Sequence, residues 1–99
     1  MHARISTYHG SDADQAIEGF KSVTDALEQI DGFSHAYFMV DRNSGKAISI
    51  TIWDNEDALN ASVSKADALR KQATQPSGAT IDSVEHYEIP LTVGAATRA

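Results

Sequence analysis

Phe33-Ser34-His35-Ala36-Tyr37-Phe38-Met39-Val40-Asp41-Arg42-Asn43-Ser44-Gly45-Lys46-Ala47-Ile48-Ser49-Ile50-Thr51-Ile52-Trp53 is the stretch that decides the fold. Residues 33–41 and 46–53 are rich in β-branched and aromatic side chains. Between them, Arg42-Asn43-Ser44-Gly45 suits a type I turn with Gly45 in the left-handed position, so the stretch predicts a hairpin. A three-residue loop, Asn43-Ser44-Gly45, pairs Arg42 with Lys46 and sets the register of everything upstream. Val40 then faces Ile48, Phe38 faces Ile50 and Ala36 faces Ile52, an apolar surface suited to packing against helices. The opposite surface pairs Met39 with Ser49, Tyr37 with Thr51 and His35 with Trp53, and its rings, hydroxyls and imidazole have the make-up of a ligand pocket. A two-residue loop would change the parity and bring Tyr37 and Met39 onto the isoleucine side.

Upstream of the hairpin, residues 3–9 alternate and carry β-formers, and Gly10-Ser11-Asp12 supplies a turn and a helix N-cap. Over residues 12–31, Ile17, Phe20, Val23, Leu27 and Ile30 recur at spacings of three and four, which predicts an amphipathic helix ending at Gly32. Downstream, residues 55–75 predict a second helix capped by Asp54 or Asn55, with Glu56 and Asp57 in its first turn. Arg70 and Lys71 complement the dipole at its end, and its buried stripe reads Leu59, Val63, Ala66, Leu69 and Ala73. Pro76, Ser77 and Gly78 stop it, and residues 79–89 alternate as a last strand with Ile81, Val84, Tyr87 and Ile89 before Pro90. The order β-α-β-β-α-β with right-handed crossovers predicts an α+β, ferredoxin-like fold. A four-stranded antiparallel sheet carries both helices on one face, and its other face needs a cover.

Ninety-nine residues suit one domain, read as 1–99 with a core at 3–89 and a mobile tail or arm at 90–99. A domain of this size has a marginal core of its own, so a homodimer is expected to add burial. No apolar run approaches the ~20 residues of a membrane span. Met1-His2-Ala3-Arg4-Ile5-Ser6 lacks a secretory pattern, so a cytoplasmic location is expected. The absence of cysteine excludes disulfides and thiolate chemistry, and a net charge of −6 with eight Lys plus Arg argues against nucleic acid as a partner.

The segment from Gly32-Phe33-Ser34-His35-Ala36-Tyr37 through Asp41-Arg42-Asn43-Ser44-Gly45-Lys46 to Ile52-Trp53-Asp54-Asn55-Glu56-Asp57-Ala58-Leu59 resembles the antibiotic biosynthesis monooxygenase-like proteins of the dimeric α+β barrel superfamily. The resemblance spans roughly residues 3–89 and implies that two sheets face each other across a two-fold axis. It also implies chemistry on small or polycyclic aromatic substrates without metal or flavin in some members, and haem degradation in others. For haem degradation the family pattern asks for an Asn on the first strand and a haem-ligating His on the second helix. Strand one offers Ser6, Thr7 and Tyr8, and residues 55–75 contain no His, so that activity is not expected.

The sharpest functional expectation is that His35, Tyr8, Tyr37, Met39, Thr51 and Trp53 enclose a small phenolic or quinone-like molecule between the sheet and a dimer partner. There His35 and Tyr8 would be catalytic and the other four would bind substrate. An imidazole can take a phenolic proton, and the electron-rich anion can react with dioxygen. The plainer alternative is a cross-strand His35–Trp53 pair packed in a dimer core. No cofactor and no metal are expected: His2, His9 and His86, with Glu85 and Glu88, match no ligand signature. Asp54, Glu56 and Asp57 are accounted for by helix capping, and Ser62 and Ser64 by the surface. Two classes remain open, a cofactor-independent monooxygenase and a non-catalytic binding or assembly module.

Overall fold

A computed structural model describes residues 1–10 and 12–94. Eight elements follow in order: β1 (His2–His9), α1 (Ala13–Lys21), α2 (Thr24–Glu28), β2 (Phe33–Asp41), β3 (Lys46–Trp53), α3 (Glu56–Ala61), α4 (Val63–Thr74) and β4 (Thr80–Glu88). The strands form one sheet in the order β2-β3-β1-β4, every neighbouring pair antiparallel. This is the expected α+β, ferredoxin-like arrangement. Ser11 and residues 95–99, which hold part of the anticipated turn and tail, lie outside the described residues. Leu91 and Val93, within the expected tail, are 77% and 83% exposed.

Each predicted helix is broken once, and at a serine. Ser22 Oγ donates to the Gly19 carbonyl at 2.6 Å, and Ser62 Oγ donates to the Leu59 carbonyl at 2.7 Å. A hydroxyl that bonds the backbone three residues back competes with the helical ladder, and here each such bond sits at the break. The second break alters the buried stripe. Ser62 is 1% exposed whereas Val63, expected inside, is 40% exposed, so the surface role anticipated for Ser62 is corrected. Asp12 caps α1 by accepting from Gln15 N, and Asn55 caps α3 by accepting from Ala58 N.

The hairpin register differs by one residue from the expectation. Asp41 pairs with Lys46, Val40 with Ala47, Met39 with Ile48, Phe38 with Ser49, Tyr37 with Ile50, Ala36 with Thr51 and His35 with Ile52. The cause lies in the turn. Asp41 Oδ1 accepts from Asn43 N at 2.9 Å and the Asp41 carbonyl accepts from Gly45 N at 3.1 Å, so the loop begins at Arg42 and holds four residues. Gly45 takes the left-handed conformation that closes it, at φ +75°. With the parity changed, Tyr37 and Met39 join Ile48 and Ile50 on the open face, and Ser49, Thr51 and Trp53 turn toward the helices with Phe38 and Val40.

Two apolar clusters fill the space between sheet and helices. Tyr8, Ala16, Phe20, Val23, Ala47 and Ala73 make one, and Leu27, Ile30, Trp53 and Leu59 the other. Phe20 stacks on Phe38 at 4.7 Å between centroids, and Phe33 meets Trp53 edge-on at 5.5 Å. Where α1 crosses α4 the backbones nearly touch: a Cβ on Gly19 would stand 1.9 Å from the Ala73 carbonyl oxygen. That close approach holds α1 against α4 in the helical layer.

Candidate functional site: a cavity between helices and sheet

Alternation along three strands sends Arg4, Ser6 and Tyr8 of β1, Ser49 and Thr51 of β3, and Phe38 of β2 into the space under the helices. They floor a cavity of about 40 Å³ roofed by Phe20, Val23, Leu27, Ala66, Leu69 and Ala73, with Arg70 at its side. A water needs roughly 10–15 Å³ of such space, so at rest the cavity admits about three waters, and a ring enters it only by displacing part of the apolar roof. Its floor is polar and its roof apolar, the division that orients a small molecule.

The polar atoms are mostly paired. Tyr8 Oη and Ser49 Oγ share a hydrogen bond at 2.8 Å, and Arg70 Nε donates to Ser6 Oγ at 3.2 Å. Arg70 also bonds Asp67, one turn earlier on α4, and its side chain is only 8% exposed. It therefore folds inward, in place of the exposed dipole partner expected at the helix end. Arg4 is 3% exposed. Its Nη2 donates to the Leu59 carbonyl at 3.1 Å and to Ser62 Oγ at 3.0 Å, and its Nε donates to His86 Nε2 at 3.2 Å. Its guanidinium lies 5.6 Å from the Trp53 ring centroid, a cation–π distance. Nη1 is buried and has no hydrogen-bond partner among the described residues. Burial foremost, and then the Arg70 charge, lowers the pKa of Arg4 from its usual value, with Asp67 opposing. Burial and the same two arginines lower the pKa of His86, consistent with a neutral ring accepting from Arg4.

The residues anticipated as one site fall in different places. Tyr8 and Thr51 line the cavity. Trp53 is fully buried beside it, among Leu27, Ile30 and Leu59, with its indole N–H donating to Thr51 Oγ1 at 3.0 Å. Tyr37 and Met39, 53% and 43% exposed, lie on the open sheet face. His35 bonds Ser34 Oγ at 2.8 Å, meets the Tyr37 ring edge-on, and lines an open groove between β2 and α2. The chain thus does not bring His35 and Tyr8 together, and the cavity that Tyr8 lines is on the helix side of the sheet. The one-residue shift of the turn accounts for much of this division. Sequence reasoning missed Arg4, Ser6, Ser62 and Arg70 as site residues, and it set Ser49 on a pocket-like surface but paired it with Met39. The available signal was a charged residue, Arg4, in the alternation of a strand whose neighbours on that face, Ser6 and Tyr8, are also polar.

Among the described residues there is no group of three or more His, Asp or Glu that could hold a metal ion, and no helix is long and apolar enough to cross a membrane. No family model matches the chain. It is 38% identical over 80 residues to the uncharacterized protein Rv2557 of Mycobacterium tuberculosis, covering 79% of this chain and 35% of the relative. It is 33% identical over 69 residues to Rv2558 of the same organism, covering 70% and 29%. The chain therefore spans about a third of the length of the curated relatives it matches. Among solved structures, an antibiotic biosynthesis monooxygenase-like protein of Deinococcus radiodurans superposes with a TM-score of 0.71 at 19% identity, covering 96% of this chain and 98% of the other. SnoaB, a cofactor-independent oxygenase from Streptomyces nogalater, gives 0.71 at 13% identity, covering 95% and 97%. The heme-degrader MhuD of Mycobacterium tuberculosis gives 0.71 at 19% identity, covering 95% and 100%. With their architecture matched over nearly its whole length, the chain has the fold of the antibiotic biosynthesis monooxygenase-like proteins.

Proposed function

We propose that the chain handles a small aromatic or quinone-like compound in the cavity between its helices and its sheet, as a cofactor-independent monooxygenase. The observation that carries the reading is the division of that cavity into a polar floor of Arg4, Ser6, Tyr8, Ser49 and Thr51 and an apolar roof. Phe20, Phe38 and Leu69 would grip a ring while Tyr8 and the guanidinium groups meet its oxygen atoms. A phenolate held there, away from water, is the species that can pass an electron to dioxygen. Tyr8 is the residue of the anticipated catalytic pair that fits this role, while His35 lines a separate groove at the sheet margin.

A panel of phenols, quinones, polycyclic aromatics and haem, screened by thermal shift and then by oxygen consumption, tests the reading. A ligand at one hundred times its Kd raises stability by about 2.7 kcal/mol. A selective shift that disappears in Ala66→Leu, which fills the cavity, supports it. Binding without oxygen uptake would leave a binding module, and no shift from any compound would overturn the pocket.

The open face supports a second element, a homodimer. Ile5, Ile48, Ile50, Tyr37, Met39 and Tyr87 share a face that no helix among the described residues covers, with Tyr87 48% exposed. A contiguous apolar sheet face of this kind marks an interaction surface. Light scattering should give twice the chain mass for the native protein and the single mass for Met39→Glu; a native monomer would remove the dimer.

A further inference from the structure

Two of the eight basic residues of this acidic chain, Arg4 and Arg70, line one small cavity, and among the described residues no carboxylate lines it with them. Both side chains are more than nine-tenths buried. Their nearest counter-charge is Asp67, which is bonded to Arg70 and is itself 54% exposed. Buried like charges repel strongly in a medium less polar than water, and an unpaired buried charge is costly. Structural duties account for part of the arrangement: Arg4 ties the α3–α4 corner to the sheet through Leu59 and Ser62. They leave Arg4 Nη1 buried without a partner and the excess positive charge unanswered.

We infer that the cavity is an anion site, and that the substrate class of the proposed pocket is a small aromatic acid whose carboxylate lies between Arg4 and Arg70. This rests on the reading of the cavity as a ligand pocket. A carboxylate would take Arg4 Nη1 as donor, neutralise the excess charge, and use Ser6 and Tyr8 hydroxyls as further donors. A planar, two-oxygen anion suits guanidinium groups, which present paired N–H donors in a fixed fork. The ring attached to it would meet Phe20, Leu27, Phe38 and Leu69 on the roof. A neutral amide of the same shape offers one oxygen and no charge.

Isothermal titration of the full chain with benzoate and with benzamide tests this. Benzoate should bind at least tenfold more tightly than benzamide, and the preference should shrink as salt rises. Arg70→Gln should lower benzoate affinity at least tenfold and benzamide affinity by a much smaller factor, with far-UV circular dichroism confirming the fold. Equal affinity for the two compounds would overturn the anion site while the pocket survives. Binding of neither would overturn both. Because the benzoate-to-benzamide ratio is measured on the unaltered protein, the result stands even where a variant fails to fold.

Discussion

The two faces of the sheet are built from adjacent residues of the same strands, yet they do opposite things. Toward the helices, β1 presents Arg4, Ser6 and Tyr8, and β3 presents Ser49, Thr51 and Trp53; away from them, the same strands present Ile5, Ile48 and Ile50. The face covered within the chain is the more polar one, and the isoleucine-rich face is left open. Hydrophobicity by itself therefore does not say which side of a sheet is inside a chain. The helix side tolerates its hydroxyls and guanidinium groups because each finds a partner within the sheet or on the helices, apart from Arg4 Nη1. The open side is apolar in the way that a surface awaiting another surface is apolar.

The comparison breaks most visibly at the helix side. Phe20, 5% exposed and stacked on Phe38, should cost about 3–5 kcal/mol when replaced by Ala, measured by urea unfolding. Ile50→Ala, on the open face, should cost less than this at concentrations where the chain is monomeric. Equal losses would mean that the two faces are not energetically distinct. Gly19→Ala should cost about 1–3 kcal/mol, because the added carbon meets backbone that cannot step aside without moving α1 from α4.

Acidification sharpens the same contrast. The pKa of His86 is held below its usual value by burial and by Arg4 and Arg70, while in the unfolded chain it lies near ~6.5. Above that pH the ring is neutral in both states and the stabilising contribution is complete. As pH falls through ~6.5 the unfolded chain takes up a proton that the folded one resists, so stability falls until the lowered folded pKa is passed. Urea midpoints should therefore decline between about pH 7.5 and 5.5, and the decline should be shallower in His86→Gln, which keeps an acceptor for Arg4. An equal slope in the variant would assign the effect elsewhere. The smallest effect belongs to His35→Ala. Its ring contacts Tyr37 and Ser34 at the sheet margin, so a loss of at most about 1 kcal/mol is expected. A larger loss in urea unfolding would place His35 in a packed interface.

Much of the architecture was legible in the residues. The order of strands and helices follows from alternation, spacings of three and four, and the glycine and proline punctuation. Phe20, Val23, Leu27 and Ile30 are buried as their stripe requires. The helix breaks were not legible, since a serine in a helix is ordinary until its hydroxyl is seen bonding the backbone behind it. The candidate site was legible only in part, through Tyr8 and Thr51. The rest was hidden because the alternation of β2 and β3 constrains each strand separately, while the hairpin turn sets how the two align.

What the residues determined by themselves was therefore the list of elements, their apolar stripes and the presence of a hairpin, all of which depend on interactions a few positions apart. What only the tertiary structure decided was the parity of the sheet and the contents of the cavity. The parity turned on the Asp41 contacts to Asn43 N and Gly45 N, which accompany a loop one residue longer and reverse the faces of β3 relative to β2. The cavity turned on Arg4 and Arg70, whose meeting requires β1 and α4 to come together from opposite ends of the chain. Local sequence carries no trace of such a meeting, because it is the packing of the layers, and not the strand or the helix, that removes both guanidinium groups from water.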